Sequence, residues 1–216
     1  MPSFIDVSHP IEAGMPTYPG LPVPEVKVFF DYEESRTRYG GLSEFYIASL
    51  HLCGNTGTYV DAPLHRFRGG ADLAALPLAS LAHLPAVVVR QSGQSAIGPD
   101  AFRGLDLTGK AVIVETGWSA HWRTPRYFEP NPHLTRDACL LLRDQGVKLV
   151  GIDSVNIDSM TDLSRPAHTT LLGAGIPICE HMTNLAALPE QGGYLHAVPI
   201  PWVGGATFPV RAYVMV

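Results

Sequence analysis

The chain has 216 residues, of which 46% are hydrophobic and 16% charged, with a formal net charge of −5 at pH 7. This composition excludes a disordered chain and predicts a single globular domain over residues 1–216. The basic residues are scattered, so bulk charge provides no surface for nucleic acid or an anionic membrane. The N-terminal residues lack the pattern of a signal peptide, and no apolar run is long enough to span a bilayer.

The chain contains three cysteines, Cys53, Cys139 and Cys179, an odd number at wide spacing. This pattern fits neither a disulfide framework nor a zinc ribbon. It is typical of small buried residues in a reducing compartment. We therefore expect a cytoplasmic protein.

Three strands are predicted in the first quarter of the chain. FIDVSHPI (4–11) reads as the first strand and ends at the turn in GMPTYPGLPVP (14–24). VKVFFDYEE (26–34) is predicted as the second strand because of its alternation and β-branched residues. SEFYIASLHL (43–52) is predicted as the third strand.

The middle of the chain has the pattern of an α/β unit. LAHLPAVVVR (81–90) and KAVIVETGW (110–118) contain the continuous apolar runs of strands buried on both faces. LTRDACLLLRDQG (134–146) predicts an amphipathic helix, with Thr135 as N-cap and Gly146 as its C-terminal stop. The order of apolar strand, helix and apolar strand predicts an α/β unit.

The strand KLVGIDS (148–154) follows this helix. VPIPWVGG (198–205) and FPVRAYVMV (208–216) are predicted to close the fold as an antiparallel pair. The prediction is a mixed α/β domain that is rich in strands and has few helices.

A first cluster of reactive side chains lies in NTGTYVDAPLHRF (55–67). Asp61 and His65 flank Pro63, which fixes φ and stiffens the loop. Asp61 is a suitable hard oxygen ligand for a metal, and His65 is a suitable ligand or general base. The alternative is that Asp61 caps a turn and His65 is exposed.

A second cluster, GIDSVNID (151–158), follows a predicted buried strand. Asp153 and Asp158 stand where α/β proteins often position ligands, at the end of a strand. Turn formation by Asp, Ser and Asn is the stronger interpretation of this segment.

A third cluster lies in AHTTLLGAGIPICEHMTNL (167–185). Glu180 follows a predicted apolar strand in this segment, and His168 lies twelve residues before Glu180. A carboxylate in that position requires a partner, because burying an unpaired charge is unfavourable. A metal ion is one possible partner. An arginine is the alternative, and the candidates are Arg66, Arg165 and Arg211.

Together the three clusters resemble the cyclase-like family of metal-dependent hydrolases, which includes bacterial kynurenine formamidases and isatin hydrolases. The family signature His-x-Gly-Thr-His-x-Asp-x-Pro-x-His aligns with residues 55–65. The likeness runs from near residue 4 to the C-terminus. Its other matching segments are DVSHPIEAGMPTYPG (6–20), ETGW (115–118), VGIDS (150–154), residues 168–172, IPICEHMTNL (176–185) and PIPWVGGATFPVRAYVMV (199–216).

The resemblance implies a swivelling β/β/α-type fold, a homodimer or homotetramer, and hydrolysis of an amide or lactone by metal-activated water. It implies metal ligands at Asp61, His168 and Glu180, and acid–base chemistry at His65. Asn55 and Tyr59 occupy the two positions where the family signature has ligand histidines. The resemblance therefore does not by itself imply a two-metal arrangement in this chain.

The remaining ligand set contains one nitrogen and two carboxylates, which is enough for one catalytic ion. It shifts the preference from zinc toward manganese or magnesium, so Mn, Zn and Mg are all candidates. Asn55 offers only a weak amide oxygen, and we expect Tyr59 to hydrogen-bond a nearby carboxylate or the substrate. His51 and Cys53 lie on the same predicted face as Asn55 and are alternative ligands.

Two hypotheses follow. In the first, the protein is a hydrolase that binds one divalent ion and cleaves a C–N bond of an aryl formamide-like amide, or a lactone. In the second, it is a metal-free homologue that binds a small molecule without catalysis. A small-molecule partner is expected in both cases, and Tyr18 is a candidate substrate contact. A third hypothesis, ranked below these two, is catalysis by His65, Asp61 and Tyr59 without a metal.

Overall fold

The computed structural model describes residues 2–16 and 18–216, so Met1 and Thr17, the latter within a predicted turn, lie outside the described residues. The described residues form thirteen strands and three α-helices. The strands are β1 (Phe4–Asp6), β2 (Glu25–Phe30), β3 (Ile47–His51), β4 (Tyr59–Asp61), β5 (Leu84–Arg90), β6 (Ala96–Ile97), β7 (Ala111–Glu115), β8 (His133–Leu134), β9 (Leu149–Ile152), β10 (Ile178–Glu180), β11 (Gly193–His196), β12 (Thr207–Pro209) and β13 (Tyr213–Met215). The helices are α1 (Tyr32–Arg38), α2 (Arg136–Asp144) and α3 (Pro166–Gly173).

Nine of the strands form one mixed sheet in the order β1-β13-β11-β5-β7-β9-β10-β4-β12. The four central strands, β5, β7, β9 and β10, run parallel, whereas the strands on both flanks pair antiparallel. Helix α2 connects β7 to β9, and helix α3 connects β9 to β10. The protein is thus a strand-rich α/β domain, as the sequence predicts.

Each face of the central strands is covered by a separate apolar core. The side chains of Val87 and Val112 pack with Leu142 and Leu171, which come from helices α2 and α3. On the opposite face, Val88 belongs to a core with residues from the flanking strands. This burial on both sides explains the continuous apolar runs in β5, β7 and β9.

The strands β2 and β3 form a separate antiparallel ribbon, and helix α1 lies in the connection between them. We call residues 25–51 the hairpin arm. Every residue of β3 and five of the six residues of β2 are exposed. Large apolar side chains are among them, such as Phe29 at 59% and Leu50 at 52% relative exposure.

The predicted helix at residues 134–146 is confirmed. The Thr135 hydroxyl accepts from Ala138 N at 3.2 Å, and Gly146 follows the helix with φ 71°. The predicted second strand is wrong beyond residue 30, because helix α1 begins at Tyr32. Asp31 and Glu34 form a capping box there, each side chain accepting from the other's backbone N–H.

The predicted closing pair is also wrong. Residues 198–205 form no strand, and this segment contains Pro199 and Pro201, which cannot donate to a sheet. The last segment divides into β12, which pairs with β4, and β13, which pairs with β11 and β1. Among the described residues, no helix has the length and apolar character needed to cross a membrane.

Candidate metal centre

The pairing of β10 with β4 brings together acidic residues that are far apart in the sequence. Glu180 lies directly opposite Tyr59, and Asp61 lies opposite Ile178. Alternate residues of a strand share a face. The face that helix α3 covers therefore carries Tyr59 and Asp61 from β4 and Ile178 and Glu180 from β10. The intervening residues Val60 and Cys179 belong to the other core, so the sheet register fixes the carboxylates in one buried place.

Helix α3 contributes the third side chain, His168. Asp158 holds its imidazole, because Nδ1 lies 2.6 Å from Asp158 Oδ2. The same carboxylate accepts from the backbone N–H groups of Ala167 and His168, at 2.6 and 3.1 Å, and thereby caps the helix. The Nε2 atom is then 3.7 Å from Asp61 Oδ2 and 3.8 Å from Glu180 Oε1. This carboxylate–imidazole arrangement is typical of histidines that bind metals.

Glu180 is held by hydrogen bonds at both oxygens. The Tyr59 hydroxyl donates to Oε2 at 2.5 Å, and Ile157 N donates to Oε1 at 2.6 Å. Glu180 therefore has the neutral hydrogen-bond partner that the sequence suggested for one carboxylate. Among the described residues, no arginine pairs with it, and Arg211 pairs instead with Asp6.

Asp61 is the least satisfied group in the centre. Its carboxylate is fully buried, and neither oxygen has a hydrogen-bond partner. A buried carboxylate without donors is unfavourable unless a cation compensates it. His168 Nε2, the nearest cationic candidate, is too distant for a hydrogen bond. Asp61 is therefore the group of the centre that a bound cation would stabilise most.

The three side chains form the only group of metal-ligand type found across residues 2–16 and 18–216. Asp61, His168 and Glu180 each offer one ligand atom, and these atoms lie within 4.8 Å of one another. Two carboxylate oxygens and one imidazole nitrogen suit a divalent Mn, Zn or Mg ion. The residues present therefore fit one ion.

The electrostatics of the centre reflect two close buried carboxylates. Burial raises the pKa of Glu180, as does the charge of Asp61, although His168 opposes this change. Burial disfavours charge on His168, but the hydrogen bond with Asp158 and the nearby carboxylates of Asp61 and Glu180 raise its pKa overall, to about 10. Without an ion, His168 is thus the positive charge that compensates the carboxylates.

Asn55 and Tyr59 both line the pocket but take different roles. The Asn55 amide oxygen accepts from Thr207 Oγ1 at 3.1 Å. Tyr59 is 1% exposed, and burial and the charges of Glu180 and Asp61 raise the pKa of its phenol well above the usual value. Tyr59 is therefore a neutral hydrogen-bond donor to Glu180, in line with the expectation from its chemistry.

His65 lies beside the centre on the short 3₁₀ turn Pro63–His65, which follows β4. Its ring centroid is 5.5 Å from that of His168, and its side chain faces the pocket. His65 is exposed, as the alternative interpretation of its sequence segment predicts. The surrounding protein still desolvates its ring and lowers its pKa; the charges of His168, Arg66 and Arg165 add to this effect, and that of Asp61 opposes it. A neutral imidazole is available here to accept a proton.

A cavity of about 340 Å³ opens over the centre. Its volume suits a small molecule. Asn156 and the predicted contact Tyr18 line it together with Arg66 and Arg165. The sequence identified these arginines only as possible partners of Glu180, and the structure places them on the outer wall of the pocket instead.

Several other predicted site residues have structural roles. Asp153 accepts from Thr116 N and Oγ1 and from Gly117 N, so it connects the ends of β9 and β7. His181, a further histidine next to Glu180 in the sequence, is not part of the ligand group, and its Nε2 lies 2.9 Å from Val155 O. His51 and Cys53 are not part of the ligand group. Turn formation was the stronger sequence interpretation of Asp158, and its contact with His168 is the role that this interpretation missed.

The fold and the centre define a strand-rich α/β protein with a buried three-ligand site. The putative cyclase family model matches residues 5–159. A kynurenine formamidase of Geobacillus thermodenitrificans is 31% identical, over 98% of this chain and 97% of that protein. A kynurenine formamidase of Salinibacter ruber is 32% identical, over 97% of this chain and 96% of that protein. The chain therefore belongs to the putative cyclase family.

Solved structures show the same fold. A structure described as a potential metal-dependent hydrolase with cyclase activity is 27% identical, with a TM-score of 0.81, and the match covers 100% of this chain and 98% of that chain. Isatin hydrolase A from Ralstonia solanacearum has a TM-score of 0.84 at 22% identity, covering 100% of this chain and 92% of that chain. At that identity, the second match supports the fold alone.

Proposed function

We propose that the protein is a metal-dependent hydrolase that cleaves the C–N bond of an aryl formamide-like amide, or a lactone. The observation that carries this proposal is the fully buried Asp61 carboxylate, which has no hydrogen-bond donor and lies beside His168 and Glu180. The kynurenine formamidase relatives support the choice of substrate class. Asn55 and Tyr59 are proposed to replace two ligand histidines of the family, which leaves a site for one ion.

A bound divalent ion supplies a Lewis acid that polarises a carbonyl and lowers the pKa of water. Asp61, His168 and Glu180 would hold that ion, and Asp158 would keep the imidazole of His168 in position. The water oxygen adds to the carbonyl carbon, and the C–N or C–O bond then breaks. His65 takes the proton of the water and returns it to the leaving nitrogen or oxygen.

The second candidate is a metal-free protein that binds a small molecule. It is favoured by the hydrogen bond from Tyr59 to Glu180, which satisfies one carboxylate without a cation. The unpartnered oxygens of Asp61 argue against it. The two candidates therefore differ in a measurable quantity, the number of ions bound per chain.

Elemental analysis of the purified protein, before and after dialysis against manganese, zinc or magnesium, tests the proposal. We expect about one ion per chain, lost in Asp61→Asn and in Glu180→Gln. Asp100→Asn is the matched control, because Asp100 is an exposed residue paired with Arg103. Absence of a bound ion under all conditions would overturn the proposal and favour the binding protein.

Activity is then measured on an aryl formamide and on a lactone with the preferred ion. We expect His65→Gln to lower kcat by about 10²–10⁴-fold while ion content stays unchanged, since it moves a proton rather than holding the ion. Full hydrolysis by both Asp61→Asn and Glu180→Gln would contradict the mechanism.

We also propose that the chain forms a homodimer or homotetramer through the hairpin arm. The support is that a two-stranded ribbon is marginally stable alone and that large apolar side chains of this one are exposed. Sedimentation equilibrium of the wild type and of Val28→Asp/Leu50→Asp tests this. A smaller assembly is expected in the variant, and a monomeric wild type would contradict the proposal.

We further propose that the fold is of the swivelling β/β/α type, in a single domain that works in the cytoplasm. The family membership and the three free cysteines support this. Calorimetry is expected to show one cooperative unfolding transition, and two separated transitions would count against a single domain.

A further inference from the structure

The outer wall of the pocket contains two arginines that the proposed hydrolysis does not use. Arg66 and Arg165 both line the cavity. In the described part of the chain, no carboxylate lies within ion-pair distance of either guanidinium. Arg66 donates to Thr169 Oγ1 at 3.1 Å and to Ser164 O at 2.9 Å. Both contacts are neutral, so the charge of Arg66 is not paired.

The guanidinium of Arg165 is also held only by neutral acceptors. Its Nη1 lies 3.1 Å from Ser159 O and 3.4 Å from Asn156 Oδ1, and its Nη2 lies 3.5 Å from Tyr18 OH. A guanidinium has five N–H donors in a planar fork that matches a carboxylate. These contacts fix the side chain and leave donors for a ligand.

The backbone of Arg165 adopts an unfavourable conformation. It has φ 50° and ψ 60°, and it directly precedes Pro166. Left-handed geometry is uncommon for an arginine, and a residue before proline favours extended backbone. The Asp158 cap of helix α3 and the hydrogen bond from Thr169 N to Arg165 O hold this geometry. Strain of this kind is found at ligand-binding positions.

The charges around the pocket also favour an anionic ligand. A divalent ion would balance Asp61 and Glu180, which leaves the two arginine charges in the cavity. The local charge is then positive, although the whole chain has a net charge of −5. A positive cleft in an acidic protein concentrates anions at that cleft.

We propose that Arg165, assisted by Arg66, binds a carboxylate of the substrate. The substrate class is then an N-acyl aryl amine, or a lactone, that carries a carboxylate apart from the bond that is cleaved. This inference rests on the proposed function. In the alternative, Arg165 has a structural role and only stabilises the loop of residues 156–165. Replacing it would then affect anionic and neutral substrates equally.

Binding without turnover gives the first test. Titration calorimetry compares benzoate with the neutral benzamide on the ion-free and the ion-loaded protein. We expect benzoate to bind more tightly, and Arg165→Asn to weaken benzoate binding by about 10–100-fold in both forms. Asparagine tolerates left-handed backbone, so this variant removes the charge while keeping the local conformation.

Two further variants separate charge from structure. Arg165→Lys keeps the charge but loses the fork, and a smaller loss of benzoate affinity is expected. Arg68→Asn is the control, because Arg68 is an exposed residue of a neighbouring loop that does not line the pocket. Equal binding of benzoate and benzamide by the wild type would overturn the inference.

Kinetics give the second test, with N-formyl-2-aminobenzoate and its neutral carboxamide as substrates. We expect Arg165→Asn to raise KM about 10–100-fold for the anionic substrate and by a much smaller factor for the neutral substrate. An equal effect on both substrates would indicate a structural role and overturn the inference. If neither substrate is hydrolysed, the proposed function fails, and the calorimetry still decides whether the arginines bind a carboxylate.

Discussion

The metal centre and the hairpin arm depart from the usual distribution of polar and apolar groups in opposite directions. In the centre, a charged group, Asp61, is fully buried without a hydrogen-bond donor. In the arm, apolar side chains such as Phe29 and Leu50 are exposed on a narrow ribbon. A different partner would stabilise each region: a cation at the centre and an apolar surface on the arm.

The two regions also differ in how firmly the chain holds them. The centre is fixed by sheet register, by the Asp158 cap and by two hydrogen bonds to Glu180. The arm is held by its own ribbon, by the capping box of helix α1 and by local contacts such as the ring contact of Phe30 with Phe45. Under the proposals above, the centre is largely preorganised for an ion, whereas the arm is stabilised by contacts with another copy of the chain. The following substitutions test this difference.

The largest effect is expected from Asp158→Asn. The amide is a poorer acceptor for the imidazole Nδ1–H, so His168 is held less firmly toward Asp61 and Glu180. Ion affinity should fall by about 10–100-fold, measured by competition with a metal indicator. Asp153→Asn is a control, because that carboxylate bonds only to the strand-end residues Thr116 and Gly117. Unchanged affinity in Asp158→Asn would show that the centre does not depend on this contact.

Tyr59→Phe should reveal how the centre is stabilised without an ion. The change removes a hydrogen bond to buried Glu180, so the free energy of unfolding of the ion-free protein should fall by about 1–3 kcal/mol. The ion-loaded protein should lose less. Tyr127→Phe is the matched control, because the buried Tyr127 hydroxyl has no hydrogen-bond partner. Urea unfolding of both variants with and without ion makes the comparison.

The contribution of His9 to the stability of the protein should decrease below neutral pH. Burial lowers the pKa of His9 from about 6.5 to about 4, and Arg123 contributes to this change. The unfolded chain therefore binds the proton first as pH falls, so stability is complete above pH 6.5 and is lost progressively toward pH 4. From pH 7 to 5 the loss assigned to His9 is about 1–2 kcal/mol.

Urea unfolding at pH 7 and 5 measures this loss. His9→Phe keeps the stacking on Trp122 and should remove the part of the loss that belongs to His9. His181, whose pKa burial lowers to about 3, adds to this loss, whereas Glu180, whose pKa burial raises to about 7, opposes it. His51→Gln, a change at an exposed residue of β3, is the control. An identical pH dependence in His9→Phe and the wild type would contradict the prediction.

The smallest effect is expected in the arm. Asp31→Ala removes the capping box of helix α1, which contributes about 1 kcal/mol to that helix. Amide hydrogen exchange in α1 should become about 5-fold faster, whereas exchange in the central strands β7 and β9 stays unchanged. Asp31→Asn retains a cap and should have little effect. Equal acceleration throughout the chain would mean that the arm and body unfold together.

Local signals in the sequence predicted part of the fold. Apolar runs predicted β5, β7 and β9, and the caps at Thr135 and Gly146 predicted helix α2. The capping box of Asp31 and Glu34 was also visible, but the apolar alternation before it obscured the start of helix α1. The pairing of β12 with β4 could not be predicted, because it joins segments almost 150 residues apart.

The candidate centre was predictable in composition but not in detail. Asp61, His168 and Glu180 were identified through a family resemblance, and the structure places them together. The contact of Asp158 with His168 depends on how helix α3 begins, and Pro166 at its first turn was the only local signal for that start. The outer position of Arg165 depends on a left-handed backbone that its residue type does not favour.

The Asp158 carboxylate performs two tasks, capping helix α3 and orienting the His168 ring. Local folding of the helix and assembly of the centre are therefore one cooperative event. If the first turn of α3 frays, the ligand nitrogen leaves its place at the same time. Conversely, an ion held at Nε2 should slow hydrogen exchange at the Ala167 and His168 amides, so occupancy of the centre can be read from the order of one helical turn.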